Sequence, residues 1–538
     1  MGKKELLPMS RKIIAYKEAT NQLTLREKVG QFFMPAAFIN DSEASIRSLE
    51  TMISNECIGG VCFFHSRASA ATNYEGKKKV TYNAHSLQVL KELIARYSAA
   101  AKYPLLISID AEWGLAMRVE ETPQYPYAIT LGATHDPQLV YEVGKKVGSD
   151  CKAAGIHWNF GPVADVNNNP NNPVIGYRSF GSNKKDVSTN AIAFSKGLQD
   201  AGILNCAKHF PGHGDTATDS HLGLPVIDKC REDLFEQELY PFMELINNKV
   251  DAVMVGHLSV PAFTRGKQVS ASVSGEIIKE VLRGEMGYDG VVVSDALNMH
   301  SVSKTFSKKG GLEWAAFNAG NDILCFAENV KEGIDTILSE ATNSQIEESF
   351  ERVWTLKIKA ISQASTNLLI VSDPDPLNAR IAAKSLTFYK GNAEILSEFH
   401  HSDFYSVQFG KSKKSTFIDM AIESTGSQNL LVHDQSFENI NSALGANSKL
   451  LIAVYPPSIK PQNKFGMDPH QLEILIELIR KYDVVLYLFG NPYFLRLLPL
   501  DQVAAIVIAY QDLKGFEENA AAHFLGNTKA VGSLPVSL

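Results

Sequence analysis

Eight short apolar runs in the first part of the chain constrain the fold most strongly. Each is nearly continuous in hydrophobic residues, which is typical of strands buried on both faces in a parallel sheet. Their starts lie between 27 residues (Gln31 to Ile58) and 52 residues (Pro104 to Ile156) apart, which leaves room for a crossover helix each time. The runs are Gln31–Pro35, Ile58–Phe64, Pro104–Asp110, Ile156–Val163, Ile203–His209, Ala252–His257, Gly290–Asp295 and Asn321–Phe326.

The segments between these runs have the spacing of amphipathic helices. Ser86–Ala101 and Ser274–Met286 are examples, with apolar residues recurring every three or four positions. Eight strand–helix units in succession predict an α/β fold, a (β/α)₈ barrel of the TIM type. We place this catalytic barrel at residues 20–365, with a long final helix at Gln345–Ala364.

The sequence changes character beyond that helix. A stretch with Pro374 and Pro376 predicts a linker, and shorter apolar runs then resume at Leu430–Val432, Leu450–Val454, Val484–Phe489 and Ala505–Ala509. Helical segments lie between some of these runs, so we predict a smaller α/β sandwich domain with a mostly parallel sheet at residues 366–538. It has no evident cluster of acid, base or nucleophile, and we expect it to be structural or to form only the rim of a site.

Charge and hydropathy exclude several classes of partner. Lys and Arg total 52 and Asp and Glu total 59, a formal net charge of −7 that does not favour nucleic acid or an anionic membrane. No apolar stretch approaches the about 18 residues of a membrane span, and Met1–Asn21 lacks the apolar core of a signal peptide. We expect a cytoplasmic monomer, or a periplasmic one if a signal peptide was trimmed from the sequence.

The six cysteines form neither a C-x-x-C pair nor a Cys/His cluster with zinc spacing. Most lie in apolar runs, so we interpret them as reduced core residues. The sequence predicts no cofactor and no resident metal.

The segment Lys208–Pro225, KHFPGHGDTATDSHLGLP, is the densest in chemical groups. Lys208 and His209 end the fifth run, where they can donate hydrogen bonds to a ligand. Asp219 and His221 lie two positions apart, close enough for a carboxylate to orient an imidazole for acid–base work. A solvated pair, or a metal site that also uses His213 and Asp215, remains an alternative interpretation.

Further polar residues follow other runs, at the end where the loops of such a barrel converge. Asp295 ends the seventh run and is a candidate nucleophile, although an Asp there can also cap the next helix. Asp110 ends the third run and can accept hydrogen bonds from ligand hydroxyls. Arg178, in the loop GYRSFG, is positioned to bind a hydroxyl or an amide oxygen. Asp165 and His257 occupy equivalent strand ends.

Together, KHFPGHGDT, the D-x-H spacing of Asp219 and His221, and a strand ending S-D-x-L-x-M resemble glycoside hydrolase family 3. The resemblance is to its β-N-acetylglucosaminidase branch and covers about residues 20–365. It implies a retaining exo-hydrolase with Asp295 as nucleophile and His221, assisted by Asp219, as acid/base. It also assigns sugar binding to five residues, namely Asp110, Arg118, Arg178, Lys208 and His209.

Two positions depart from the family pattern, since Trp113 and Ala296 replace a glycine and an aspartate. Neither removes a proposed catalytic residue, but both affect the shape of the pocket. The expected substrates are peptidoglycan-derived oligosaccharides, with chitin-type oligosaccharides second. The alternatives are a β-N-acetylglucosaminide phosphorylase, a family 3 β-glucosidase or xylosidase, and a non-catalytic glycan-binding protein.

Overall fold

The predicted apolar runs form the parallel strands of a ring in the computed structural model, which describes residues 12–67, 81–216, 223–363, 371–430, 437–445 and 447–538. The chain divides into two compact units. The first comprises Met1–Tyr125, Val140–Val166 and Val187–Ser372. The second comprises Pro126–Leu139, Asn167–Asp186 and Asp373–Leu538, so it includes two segments from the early part of the chain.

The strands of the first unit are short and buried. They are β1 (Phe33–Met34), β2 (Ala36–Phe38), β3 (Gly60–Phe64), β4 (Leu106–Ile109), β5 (Trp158–Asn159), β6 (Ala207–Phe210), β7 (Ala252–Val255), β8 (Val291–Ser294) and β9 (Leu324–Cys325). Only Pro35 separates β1 from β2, so the nine strands correspond to the eight predicted runs.

Every pairing between these nine strands is parallel, and the pairings return to their starting point. β2, β3, β4 and β5 are neighbours in order, as are β6, β7 and β8, and β1 pairs with β9. Parallel bridges join Trp158 to Leu204 and Val293 to Ile323, which links the three groups. The result is a closed eight-position ring with helices between successive strands, as the apolar runs predict.

The sheet of the second unit has six strands. They are β10 (Thr387–Lys390), β11 (Phe404–Phe409), β12 (Gln428–Leu430), β13 (Lys449–Val454), β14 (Asp483–Leu488) and β15 (Ala505–Ile508). Their order is β10-β15-β14-β13-β11-β12, and only the β10–β15 pair is antiparallel. The sequence predicts a mostly parallel sheet, but it does not predict the strands β10 and β11. Predicted strand residues 431 and 432 lie outside the described residues.

The helices occupy most of the remaining chain. They are α1 (Tyr16–Gln22), α2 (Leu25–Gly30), α3 (Glu43–Glu56), α4 (Ser86–Ala100), α5 (Ala128–Gly132), α6 (Pro137–Ala154), α7 (Lys184–Asp200), α8 (Arg231–Glu236), α9 (Tyr240–Asn247), α10 (His300–Ser303), α11 (Gly311–Ala319), α12 (Val330–Glu340), α13 (Asn343–Gln363), α14 (Asp375–Ser385), α15 (Ala393–His400), α16 (Thr416–Thr425), α17 (Phe437–Ala443), α18 (Gln462–Phe465), α19 (Pro469–Lys481) and α20 (Lys514–Phe524).

Three helix-related predictions can be compared with these bounds. The long helix predicted at Gln345–Ala364 is α13, and Ser274–Met286 contains a π-helix at Glu276–Glu285. Part of the predicted linker is instead the start of α14, because Pro376 is tolerated in the first helical turn, where its missing N–H has no helical partner. Within the described residues, no helix is long and apolar enough to cross a membrane.

Candidate active site

Asp295 follows β8 at the carboxyl end of the ring. Its amide donates to the carbonyl of Val255 on β7 at 2.9 Å, and the amide of Ala296 donates to its Oδ1 at 2.8 Å. The side chain is partly exposed. Burial acts to raise the pKa of this carboxyl, but His257, His209 and Lys208 outweigh burial and lower it. Asp295 is therefore an ionised carboxylate accessible to a ligand.

Lys208, within β6, is the centre of an ion-pair network. Its side chain is only 2% exposed, and Nζ lies 2.8 Å from Oδ1 of Asp110 and 2.7 Å from Oε1 of Glu112. Arg118 Nη2 holds the other oxygen of Asp110 at 2.7 Å. Burial acts to raise the pKa of the Asp110 carboxyl, but the two cations outweigh it and hold that pKa well below its usual range.

Arg118 is held by an aromatic ring as well as by Asp110. Its guanidinium lies 5.2 Å from the centre of the Phe64 ring, within cation–π range. Its buried Nε has no hydrogen-bond partner among the residues that the structure describes. Arg118 therefore carries one buried N–H donor that no described residue satisfies.

Asp165 orients His209. The carboxylate is fully buried, and its Oδ2 lies 2.8 Å from Nδ1 of His209. Its Oδ1 accepts from the backbone amides of His209 at 3.1 Å and His213 at 2.7 Å. Burial acts to raise the pKa of Asp165, but His209 and His213 outweigh it and lower the pKa. This contact fixes the orientation of the His209 ring.

His213 begins the loop that the sequence singles out. Its Nδ1 lies 2.7 Å from Oγ1 of Thr216, and burial lowers the pKa of its imidazole to about 4. Gly214 follows, where a Cβ would meet the carbonyl oxygen of Val166 at 1.8 Å, so no other residue fits. This segment is packed against the chain that carries Asp165.

Lys229 joins this segment to the following helices. Its ammonium lies 2.6 Å from Oδ2 of Asp215 and 2.6 Å from Oε1 of Glu238, whose side chain is fully buried. These two pairs fix the described start of the loop at Asp215. Asp219 and His221 lie outside the described residues, so their proposed partnership stays a prediction.

His257, at the end of β7, supports the segment that carries the nucleophile candidate. Its Nδ1 lies 2.7 Å from Oγ of Ser272, and its Nε2 lies 2.9 Å from the carbonyl oxygen of Ala296. A ring held at both nitrogens is a positioning group rather than a free acid or base.

The family model described as "Glycosyl hydrolase family 3 N terminal domain" matches residues 24–356, more than half of the chain. The chain belongs to glycoside hydrolase family 3.

Among the curated relatives of this family 3 chain, "Beta-hexosaminidase A" of Pseudoalteromonas piscicida is 33% identical over 367 residues, which cover 62% of the chain and 59% of that protein. "Beta-N-acetylglucosaminidase/beta-glucosidase" of Cellulomonas fimi is 28% identical over 324 residues, 56% of the chain and 57% of that protein. The matches therefore span less than two thirds of these relatives.

A solved structure of a family 3 β-N-acetylglucosaminidase from Paenibacillus sp. str. FPU-7 is similar over nearly its full length. The TM-score is 0.79 at 30% sequence identity, covering 96% of this chain and 99% of that one. The similarity extends the shared fold beyond the barrel.

The structure brings five of the eight predicted site residues of this family 3 chain into one neighbourhood of the first unit, namely Asp110, Arg118, Lys208, His209 and Asp295. Arg178 belongs to the second unit, where its Nη1 donates to the carbonyl of Val174 at 3.3 Å. Its role in sugar binding stays a prediction.

The sequence alone does not identify Glu112 as a site residue, and it does not indicate a partner for Asp165. Glu112 lies two positions after Asp110, which is the spacing of alternate residues on one side of an extended chain. Asp165 was visible as a strand-end carboxylate, but its partner His209 lies 44 positions away. Among the described residues, no group of three or more His, Cys, Asp or Glu side chains is arranged to hold a metal ion.

Proposed function

We propose that this chain is a retaining, exo-acting β-N-acetylglucosaminidase that releases terminal N-acetylglucosamine from peptidoglycan-derived or chitin-type oligosaccharides. The observation that carries the proposal is an ionised, partly exposed Asp295 beside the Asp110–Lys208 ion pair. The printed names of the relatives and of the Paenibacillus structure supply the sugar class.

Asp295 is the proposed nucleophile. Its carboxylate attacks the anomeric carbon, the bond to the leaving oxygen breaks, and a glycosyl-enzyme forms. A lowered pKa keeps the carboxylate ionised and ready to attack at neutral pH. The Ala296 amide holds Oδ1, which leaves Oδ2 as the atom for attack.

The residues of the Lys208 network are the proposed sugar-binding groups. Asp110 accepts hydrogen bonds from sugar hydroxyls, while Lys208, Arg118 and Nε2 of His209 donate them. Because the cations and Asp110 already hold one another, these groups lose little freedom when sugar binds. We assign to Arg178 the role of binding the acetamido oxygen or a hydroxyl group of the sugar.

His221, assisted by Asp219, is the proposed acid/base. The imidazolium donates its proton to the leaving oxygen, and the neutral imidazole then takes a proton from the water that cleaves the glycosyl-enzyme. An imidazole titrates at about pH 6.5 in water, which suits both halves of the cycle. A neutral base also repels anions less than a glutamate does, so phosphate is a possible acceptor in place of water.

The deciding experiment compares chromogenic β-N-acetylglucosaminide and β-glucoside turnover, each with and without inorganic phosphate. The proposal expects the N-acetylglucosaminide to be preferred and free N-acetylglucosamine to be the product in phosphate. N-acetylglucosamine 1-phosphate as the main product would establish the phosphorylase. Preference for the glucoside would establish the β-glucosidase, and no turnover of either substrate would leave the glycan-binding alternative.

A further inference from the structure

A cavity of about 200 Å³ lies beside the chain that follows Asp295, and the proposed reaction makes no use of it. It is bounded by the α10–α11 segment and by the residues that precede α12. Its apolar wall consists of Leu297, Phe306 and Leu312, and its polar residues are Ser303, Lys308, Glu313, Glu328 and Asn329. We call it the α11 cavity.

Glu313 places a buried carboxyl group at the α11 cavity. The residue is only 1% exposed, and its Oε1 accepts from the backbone amide of Asn329 at 3.0 Å and from its side-chain amide at 3.4 Å. Its Oε2 is buried and has no hydrogen-bond partner among the described residues. A buried carboxylate oxygen without a donor is costly, so the site is incomplete as it stands.

Glu328 adds a second carboxylate at the mouth of the cavity. Burial of its carboxyl and the charge of Glu313 both raise the pKa of Glu328. Lys308 also lines the mouth, but its side chain is exposed to solvent. The pocket therefore combines two carboxylates with an apolar wall.

We propose that the α11 cavity binds a small organic ammonium ion, with its charged head between the carboxyl groups of Glu313 and Glu328 and its carbon chain against Leu297 and Leu312. An ammonium group supplies hydrogen-bond donors, which carboxyl oxygens accept. A hard metal ion prefers six or so oxygen ligands, which an apolar wall does not provide. The volume accommodates a short alkyl amine or the amine end of an amino acid.

Isothermal titration calorimetry of the full chain with n-butylammonium chloride tests this site at mildly alkaline pH and low ionic strength. Butanol is the neutral probe of the same shape, and potassium chloride is the inorganic probe. The variants are Glu313→Gln and Glu328→Gln, and Glu340→Gln is the matched control because Glu340 is an exposed carboxylate at the end of α12. If Glu313→Gln fails to fold, Glu328→Gln decides alone.

We expect saturable binding of butylammonium to the wild type and to Glu340→Gln, with no binding of butanol. Each cavity variant should bind butylammonium at least about tenfold more weakly, because it loses one charged hydrogen bond. Equal affinity in the cavity variants, no saturable binding, or binding of potassium alone would overturn the proposal. Binding of butylammonium that appears only in the Lys308→Ala variant would also overturn the proposal. It would show that the ammonium group of Lys308 occupies the site in the wild type.

Discussion

The buried ammonium of Lys208 donates to Oδ1 of Asp110 at 2.8 Å, and 98 positions of sequence separate the two residues. The contact joins β6 to the end of β4 and fixes both groups before a ligand arrives. Glu112 and Arg118 complete a balanced set of two cations and two carboxylates.

Lys208→Met should reduce both stability and activity. It leaves two carboxylates without their shared cation, so the free energy of unfolding should fall by about 3 kcal/mol, as when one member of a buried pair is removed. Chemical denaturation and kcat/KM on an aryl N-acetylglucosaminide measure the two effects. Lys102→Met removes the exposed cation of a surface ion pair with Glu27 and is the matched control. It should change stability and activity only slightly. A Lys208→Met variant as stable as wild type would contradict the network described above.

Asp295→Ala should lower kcat by about 10⁴-fold or more, because the covalent step loses its nucleophile. Sodium azide should then restore partial turnover of an activated substrate and yield the glycosyl azide of opposite anomeric configuration. A fluorinated glycosyl trapping reagent should add one adduct to wild-type Asp295, as located by peptide mass spectrometry. An adduct at another residue would reassign the nucleophile.

His221→Ala should discriminate between leaving groups. Substrates with acidic phenols need little proton donation, so their turnover should fall far less than that of chitobiose or other natural glycosides. The ratio of kcat/KM between the two substrate classes is the measurement. An equal loss on both classes would remove His221 from the role of acid.

Asp165→Asn should weaken sugar binding through His209. The amide keeps an oxygen for the backbone donors but loses the charge that holds the ring, so kcat/KM should fall about 10- to 100-fold. The pKa of Asp165 is lowered in the folded state, so its contribution to stability is present above the unfolded carboxyl pKa of about 4 and is lost as the pH falls below that value. The stability gap between wild type and variant should therefore close in acid. A constant gap at every pH would contradict the charge argument.

Lys357 should make stability rise with pH. The side chain is fully buried, bonded to Gln31, and burial lowers its pKa from 10.5 to about 7. Between these values the unfolded chain binds a proton that the folded chain does not, so unfolding free energy increases with pH across that window.

Lys357→Met should consequently be more stable than wild type at and below pH 7 by about 1–4 kcal/mol, the usual gain when a buried charge is replaced by an apolar side chain. The advantage should shrink as the pH rises toward 10. Thermal unfolding of both proteins over this pH range provides the test, with exposed Lys331→Met as control. An advantage that stays constant over this pH range would show that Lys357 remains charged in the folded chain.

The sequence predicts the ring well because its strands are buried on both faces, which leaves an uninterrupted apolar signal such as Val291–Ser294. It does not reveal β11, whose apolar residues are interrupted by half-buried Tyr405 and Gln408 and by buried Ser406, or β10, a short antiparallel edge strand. The same limit applies to the site. Strand ends mark Asp110, Asp165 and Lys208, but a single sequence does not show which of them meet, since the pairings connect residues tens of positions apart.

Asp165 holds the ring of His209 with one oxygen and the amide of His213 with the other. His209, the proposed sugar contact, and the start of the segment leading to His221 thus share a single anchor. Redesign of this loop for a new leaving group should therefore shift His209 as well, unless the chain after β5 that supplies Asp165 is exchanged together with it. Asp165 links the chain after β5 to the chain after β6, so grafting experiments between family members should transfer both segments together.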